Sequence, residues 1–130
     1  MENGSELREV LCLFVTRDGK VLLSSDDGAN WKFPGTVIRP TESPQEAIQR
    51  VLCSAFDITL EEDDTYLETR KEAKSAAGVQ TMYHIFTTDP SNLTDAEIKH
   101  GGMQYIWSDE PASYNLNPCT RHILKLYGIL

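Results

Sequence analysis

No stretch of the 130-residue chain approaches the roughly 18 consecutive apolar residues that a membrane-crossing helix needs. The first residues, MENGSELREV, are acidic and polar and hold no apolar core of the kind a signal peptide carries. A cytoplasmic protein with no membrane partner is therefore expected. Basic charge is also scarce: 12 Lys and Arg stand against 20 Asp and Glu, a net charge of -8. That balance excludes a surface built to neutralise many nucleic-acid phosphates, so no nucleic-acid partner is expected, although a local basic pocket stays open. The three cysteines, Cys12, Cys53 and Cys119, fall in no CxxC or Cys/His ligand spacing. No metal site or disulfide framework is assigned to them; each reads as a small buried apolar residue in a reducing compartment. Internal repeats and low-complexity tracts are absent as well.

What is present suits one domain spanning residues 1–130, with residues 1–6 as a loose tail. A chain of this length can bury a core without disulfides or a structural metal. Leu7 to Thr16 (LREVLCLFVT) reads as a well-buried strand, and Asp18-Gly19 as a hairpin turn into a returning strand over Lys20–Ser25. A polar loop, SSDDGAN, leads to Trp31–Phe33, then Pro34-Gly35, then a short strand over Thr36–Arg39. Ser43 as N-cap, Pro44 at the first helical position and Glu46 three residues after the cap predict a helix over Ser43–Phe56. Ala47, Ile48, Val51, Leu52, Ala55 and Phe56 give that helix one apolar face, and Asp57 ends it. After an acidic turn at Glu61–Asp64, two strands are expected at Thr65–Lys71 and Val79–Thr88, joined by the link EAKSAAG. Residues 89–102 read as loop, Met103–Trp107 as a short strand and Arg121–Tyr127 as a closing helix. Strands on both sides of a helix, with a second helix at the end, predict an α/β fold whose sheet is covered on both faces.

From Phe33 to Ile58 the chain reads FPGTVIRPTESPQEAIQRVLCSAFDI. This segment resembles the signature of the Nudix (MutT-like) hydrolases, G-x5-E-x7-R-E-U-x-E-E-x-G-U, where U is a bulky aliphatic residue. Phe33-Pro34-Gly35 matches the turn that commonly precedes it. Glu42 stands at the first glutamate, Arg50 follows after seven intervening residues, and Leu52 and Ile58 match the two aliphatic positions, in register and without a gap. The strand order and the positions of Trp31 and Trp107 are similar to that family too. The resemblance implies a Nudix-like α/β/α sandwich with a mixed β-sheet between helices. It also implies a structural motif of Gly35, Glu42 and Arg50, in which the glutamate and arginine brace the loop against the helix.

The departures from the signature concern chemistry. In the family, the glutamate after the arginine and the pair three and four residues further on share one helical face and bind Mg²⁺ or Mn²⁺. Here those positions are Val51, Ser54 and Ala55, and the two signature glycines are Thr36 and Asp57. No cofactor is firmly implied, and Mg²⁺ or Mn²⁺ is expected only if the protein is catalytic.

Replacement catalytic carboxylates, if present, are sought first in Glu42 and Glu46, four residues apart, although Glu46 also serves as a helix cap. Glu97, His100 and Asp109 lie in the late region where family members sometimes place a general base. His84 reads as an ordinary sheet residue. Trp31 and Tyr83 are candidates to stack a base, and Arg39 and Lys32 to meet a phosphate. The expected function is a catalytically impaired Nudix-fold protein that binds a small nucleotide or diphosphate ligand, or a partner. The alternatives are a metal-dependent hydrolase of a nucleoside diphosphate linked to another group, acting through relocated carboxylates, and a purely structural interaction protein, such as a homodimer with no small ligand.

Overall fold

The computed structural model of the chain describes residues 8–56, 65–74, 78–93, 99–100 and 103–130, with the backbone alone at Ala55, Phe56, Asn92, Lys99 and His100. The expected tail at residues 1–6, the acidic turn at 61–64 and the helix end at Asp57 lie outside the described residues.

Strand β1 covers Arg8–Leu13 and stops short of the expected Thr16 because the chain changes partners there. Up to Leu13 it pairs antiparallel with β5 (Gly35–Val37) and parallel with β7 (Gln80–Thr88). Thr16–Arg17 (β2) instead pairs with β3 (Lys20–Ser25), and Arg17 faces Lys20 across a two-residue turn. Asp18 and Gly19 in that turn have φ of 52° and 78°, the doubly left-handed geometry that suits the twist of a tight hairpin. Strand β6 (Thr65–Lys74) runs antiparallel to β7 and continues through Lys74, past the expected end at Lys71. The resulting four-stranded sheet, in the order β5-β1-β7-β6, is mixed.

A second sheet has the order β2-β3-β9-β8, with β8 at Lys99–His100 and β9 at Met103–Ser108. Sequence patterning missed β8, a strand of two residues whose pairing with β9 no local signal announces. The expected loop also holds a 3-10 turn at Pro90–Asn92, capped by the Asp89 carboxylate accepting from the Ser91 N–H. Asn30–Trp31 (β4) and Asn115–Leu116 (β10) form a small parallel pair.

Helix α1 covers Pro44–Phe56. Its capping box is closed both ways: the Glu46 N–H donates to Ser43 Oγ at 3.1 Å, and the Ser43 N–H to Glu46 Oε1 at 2.8 Å. Helix α2 covers Pro118–Leu126, beginning at Pro118 rather than Arg121. The reason is a second cap: Asn117 Oδ1 accepts from the Thr120 N–H at 2.8 Å, with proline again in the first turn.

The two-residue period of the strands sorts the core into two layers. Leu11, Leu13 and Val15 cluster with Ala47, Ile48, Val51 and Leu52 of α1. Cys12 and Phe14 cluster instead with Cys119, Ile123 and Leu124 of α2. The helices therefore cover opposite faces of the sheet, giving an α/β/α sandwich. Each fully buried leucine of this core contributes about 1.5–3 kcal/mol. Among the described residues no helix is long and apolar enough to cross a membrane.

Candidate functional site

The Phe33-Pro34-Gly35 turn is held against β1 by the Leu13 N–H, which donates to the Pro34 carbonyl at 2.7 Å. Gly35 then passes so close to β1 that a Cβ on it would lie 2.1 Å from the Leu11 carbonyl oxygen. Glu42, further along the loop, uses both carboxylate oxygens. Arg50 donates from Nε to Oε2 at 2.9 Å and from Nη2 to Oε1 at 2.8 Å, and the Arg39 N–H donates to Oε1 at 3.2 Å. The same guanidinium reaches the Val37 carbonyl at 3.1 Å and Thr36 Oγ1 at 3.4 Å, tying α1 to β5.

Hydrogen bonding from Arg50, helped by the Arg39 amide, holds the Glu42 carboxyl at about 2, down from its ordinary value near 4.5. The folded value lies below the unfolded one, so this stabilisation is present above about pH 4.5 and is lost as pH falls through about 2. Glu42→Gln is expected to lower Tm at neutral pH, with a gap from wild type that narrows across that window. Thermal melts followed by circular dichroism at stepped pH measure the gap. A gap independent of pH would show that the charge on Glu42 contributes nothing.

The helix positions that the Nudix resemblance equips with metal ligands are differently furnished here. Val51 is 6% exposed and packs in the α1 layer of the core. Ser54 is exposed and its hydroxyl donates to the Val51 carbonyl at 3.4 Å, while the Ala55 side chain lies outside the described residues. Glu46 is exposed and occupied by the cap. Asp109 is exposed, and neither Glu97 nor the His100 side chain lies within the described residues. Among the described residues no three His, Cys, Asp or Glu groups converge on a common point. One apolar side chain, one hydroxyl and a fully engaged carboxylate do not fit Mg²⁺ or Mn²⁺, which take several oxygen ligands.

A cavity of about 260 Å³ opens on the other side of β5, on the α2 face of the sheet. Its wall includes Arg8, Lys32, Tyr83, Asn117 and Thr120, and among the described residues no carboxylate side chain. The acceptors in this wall are largely engaged. Asn117 Oδ1 caps α2, leaving its amide NH₂ to donate. Thr120 Oγ1 accepts from the Phe33 N–H at 3.1 Å, leaving its own proton. Burial raises the Tyr83 phenol above its ordinary value, so it stays neutral at physiological pH. The cavity thus combines two cations, several donors and two aromatic rings, those of Phe33 and Tyr83, a surface complementary to an anionic, acceptor-rich ligand.

Of the residues singled out in the sequence, the fold brings Tyr83 and Lys32 into this cavity. Trp31 is 7% exposed and packs edge-on against Tyr114 at 5.3 Å, away from the cavity wall. Arg39 is exposed beside the Glu42 loop and does not line the cavity either. His84 is a buried sheet residue whose Nε2 lies 3.0 Å from Glu9 Oε1 and whose Nδ1 accepts from Arg70 Nε at 3.1 Å. Sequence patterning missed Arg8, Asn117 and Thr120; the Asn117-Pro118 cap was the one local signal that marked the neighbourhood.

No family model matches the chain. The nucleoside triphosphatase NudI of Escherichia coli O81 (strain ED1a) is 28% identical over 144 aligned positions, covering 95% of this chain and 98% of that protein. A solved putative Nudix hydrolase family member from Chromobacterium violaceum superposes with a TM-score of 0.73 at 12% identity, covering 95% of this chain and 78% of the other. The E. coli dihydroneopterin triphosphate pyrophosphohydrolase gives 0.69 at 14% identity, with 92% and 93% covered. These structural likenesses show the fold, and the NudI likeness runs the length of it. The chain has the fold of the Nudix, or MutT-like, hydrolases.

Proposed function

We propose that this chain binds a nucleotide in the cavity beside α2 and has lost the metal-dependent hydrolysis of its superfamily. The observation that carries the reading is Val51: where a metal-binding glutamate would stand, an apolar side chain is packed into the core at 6% exposure. Glu42, the motif carboxylate that remains, is bound on both oxygens. The donor-rich cavity supports a phosphorylated ligand, and the nucleoside triphosphatase likeness supports a nucleotide among such ligands. Arg8 and Lys32 are exposed enough to meet phosphate oxygens at the rim, while Tyr83 offers an apolar face for a ring.

The test pairs binding with turnover. Titration calorimetry with nucleoside triphosphates is expected to show binding that weakens roughly tenfold in each of Arg8→Ala and Lys32→Ala. Phosphate and pyrophosphate release with Mg²⁺ or Mn²⁺ is expected to stay roughly 10³-fold or more below an active Nudix hydrolase run alongside. The likeness to NudI over nearly its whole length favours a second reading, hydrolysis through relocated carboxylates. Metal-dependent turnover abolished by Glu46→Gln or Glu97→Gln would establish that reading in place of the first.

A further inference from the structure

The cavity beside α2 and the α1 positions without metal ligands bear together on the charge of whatever the cavity holds. Among the described residues of its wall, the charged side chains are Arg8 and Lys32, both cationic and both exposed. The Asn117 amide and the Thr120 hydroxyl add neutral donors, and Tyr83 and Phe33 add rings. A phosphate monoester carries a charge of about −1.5 to −2 at pH 7, because its second pKa lies near 6. Two cations therefore match one monoester. Each further phosphate would bring negative charge that no described cation in the wall meets, in a chain whose net charge is already -8. A polyphosphate ordinarily offsets that charge with Mg²⁺ held by its own oxygens and by protein carboxylates. The buried Val51 and the Ser54 hydroxyl, bonded to the Val51 carbonyl, offer no carboxylate for that purpose. Size points the same way: about 260 Å³ is less than the roughly 300–1,000 Å³ of pockets that enclose drug-sized ligands.

We propose, on the nucleotide reading of this cavity, that its ligand is a nucleoside monophosphate bound as the metal-free anion. The phosphate meets Arg8 and Lys32 at the rim, and the base and sugar lie against Tyr83, Phe33, Asn117 and Thr120. Both halves of the ligand contribute, so neither inorganic phosphate nor a nucleoside replaces it. A longer phosphate tail leaves the cavity past the two cations and gains no partner there, and Mg²⁺ has no part in the affinity. Cleavage of a nucleoside polyphosphate between its first and second phosphates produces such a ligand, so the cavity takes a product of that class of reaction.

The test is titration calorimetry on the unsubstituted chain with AMP, GMP, CMP and UMP, with the matching triphosphates and nucleosides, and with inorganic phosphate. Each ligand is run once in Mg²⁺ and once in EDTA. At least one monophosphate is expected to bind roughly tenfold or more tighter than its own triphosphate in Mg²⁺, and equally well in EDTA. The matching nucleoside and inorganic phosphate are each expected to bind more weakly by roughly tenfold or more. Backbone amide resonances of Tyr83, Asn117 and Thr120 are expected to shift with that monophosphate in two-dimensional NMR. A triphosphate that binds in Mg²⁺ as tightly as its monophosphate, or a monophosphate that needs Mg²⁺, overturns the proposal and leaves the nucleotide reading standing. Inorganic phosphate that binds as tightly as every monophosphate also overturns it, as does a monophosphate whose shifts fall outside the cavity wall. Failure of all these nucleotides to bind overturns the proposal and the nucleotide reading together.

Discussion

Gly35→Ala is expected to destabilise the protein by about 3 kcal/mol and to lower Tm by roughly 10 °C. The added Cβ would sit 2.1 Å from the Leu11 carbonyl oxygen, a backbone atom with no rotamer that could move it aside. Relief requires β5 to separate from β1, and that movement breaks the Val10–Val37, Leu11–Thr36 and Cys12–Gly35 register. It also pulls on the Arg50 contacts to Thr36 and Val37, and so on the brace between loop and helix. Gly19→Ala is the matched control. Gly19 has φ of 78° but open space around it, so alanine there meets only the left-handed backbone penalty, about 1 kcal/mol. Urea melts of both variants separate the two effects. Equal costs would mean that β5 yields to the methyl group and that the close approach is not what requires glycine.

Val51→Glu is the second large effect. Placed in the α1 layer among Leu11, Leu13, Ile48 and Leu52, a lone carboxylate must be desolvated or must drag the helix outward, at a cost of about 3 kcal/mol. The combined variant Val51→Glu, Ser54→Glu, Ala55→Glu rebuilds three carboxylates at the spacing that shares one helical face. Mn²⁺ is expected to raise Tm of this triple variant by several degrees and to leave wild type unmoved, because bound metal offsets the mutual repulsion and stabilises only the folded form. Differential scanning calorimetry with and without Mn²⁺ reads both. A folded triple variant indifferent to Mn²⁺ would mean that the helix no longer aims these positions at one point, so that geometry as well as ligands has been lost.

These two substitutions probe the two halves of one segment. Gly35, Glu42, Arg50 and the Ser43–Glu46 box are all engaged in folding contacts. The three positions that the superfamily gives to metal carry no carboxylate. A segment in that state keeps the loop and helix in place for the neighbouring sheet, and β5 transmits that order to the cavity wall.

The sequence by itself determined whatever depends on residues within a turn or a strand of one another. The α1 cap, the Asp18-Gly19 hairpin and the missing helix carboxylates were legible because each is a local relation, fixed by backbone geometry and by spacing along the chain. Asn117-Pro118 carried the same kind of signal, and reading it would have started α2 at the right residue. Tertiary structure decided the rest. Trp31 and Tyr83 are both aromatic residues in or beside strands, yet packing buries Trp31 against Tyr114 and leaves Tyr83 on a cavity wall. The break after Leu13 followed from which strands were free to pair, a choice made by segments distant in the chain. Cys12 and Cys119 join one core cluster, and Arg8 shares a cavity with Asn117, only once the first strand and the last helix have docked on the same face. The separation between such residues is set by register and layer packing, and no spacing along the chain encodes it.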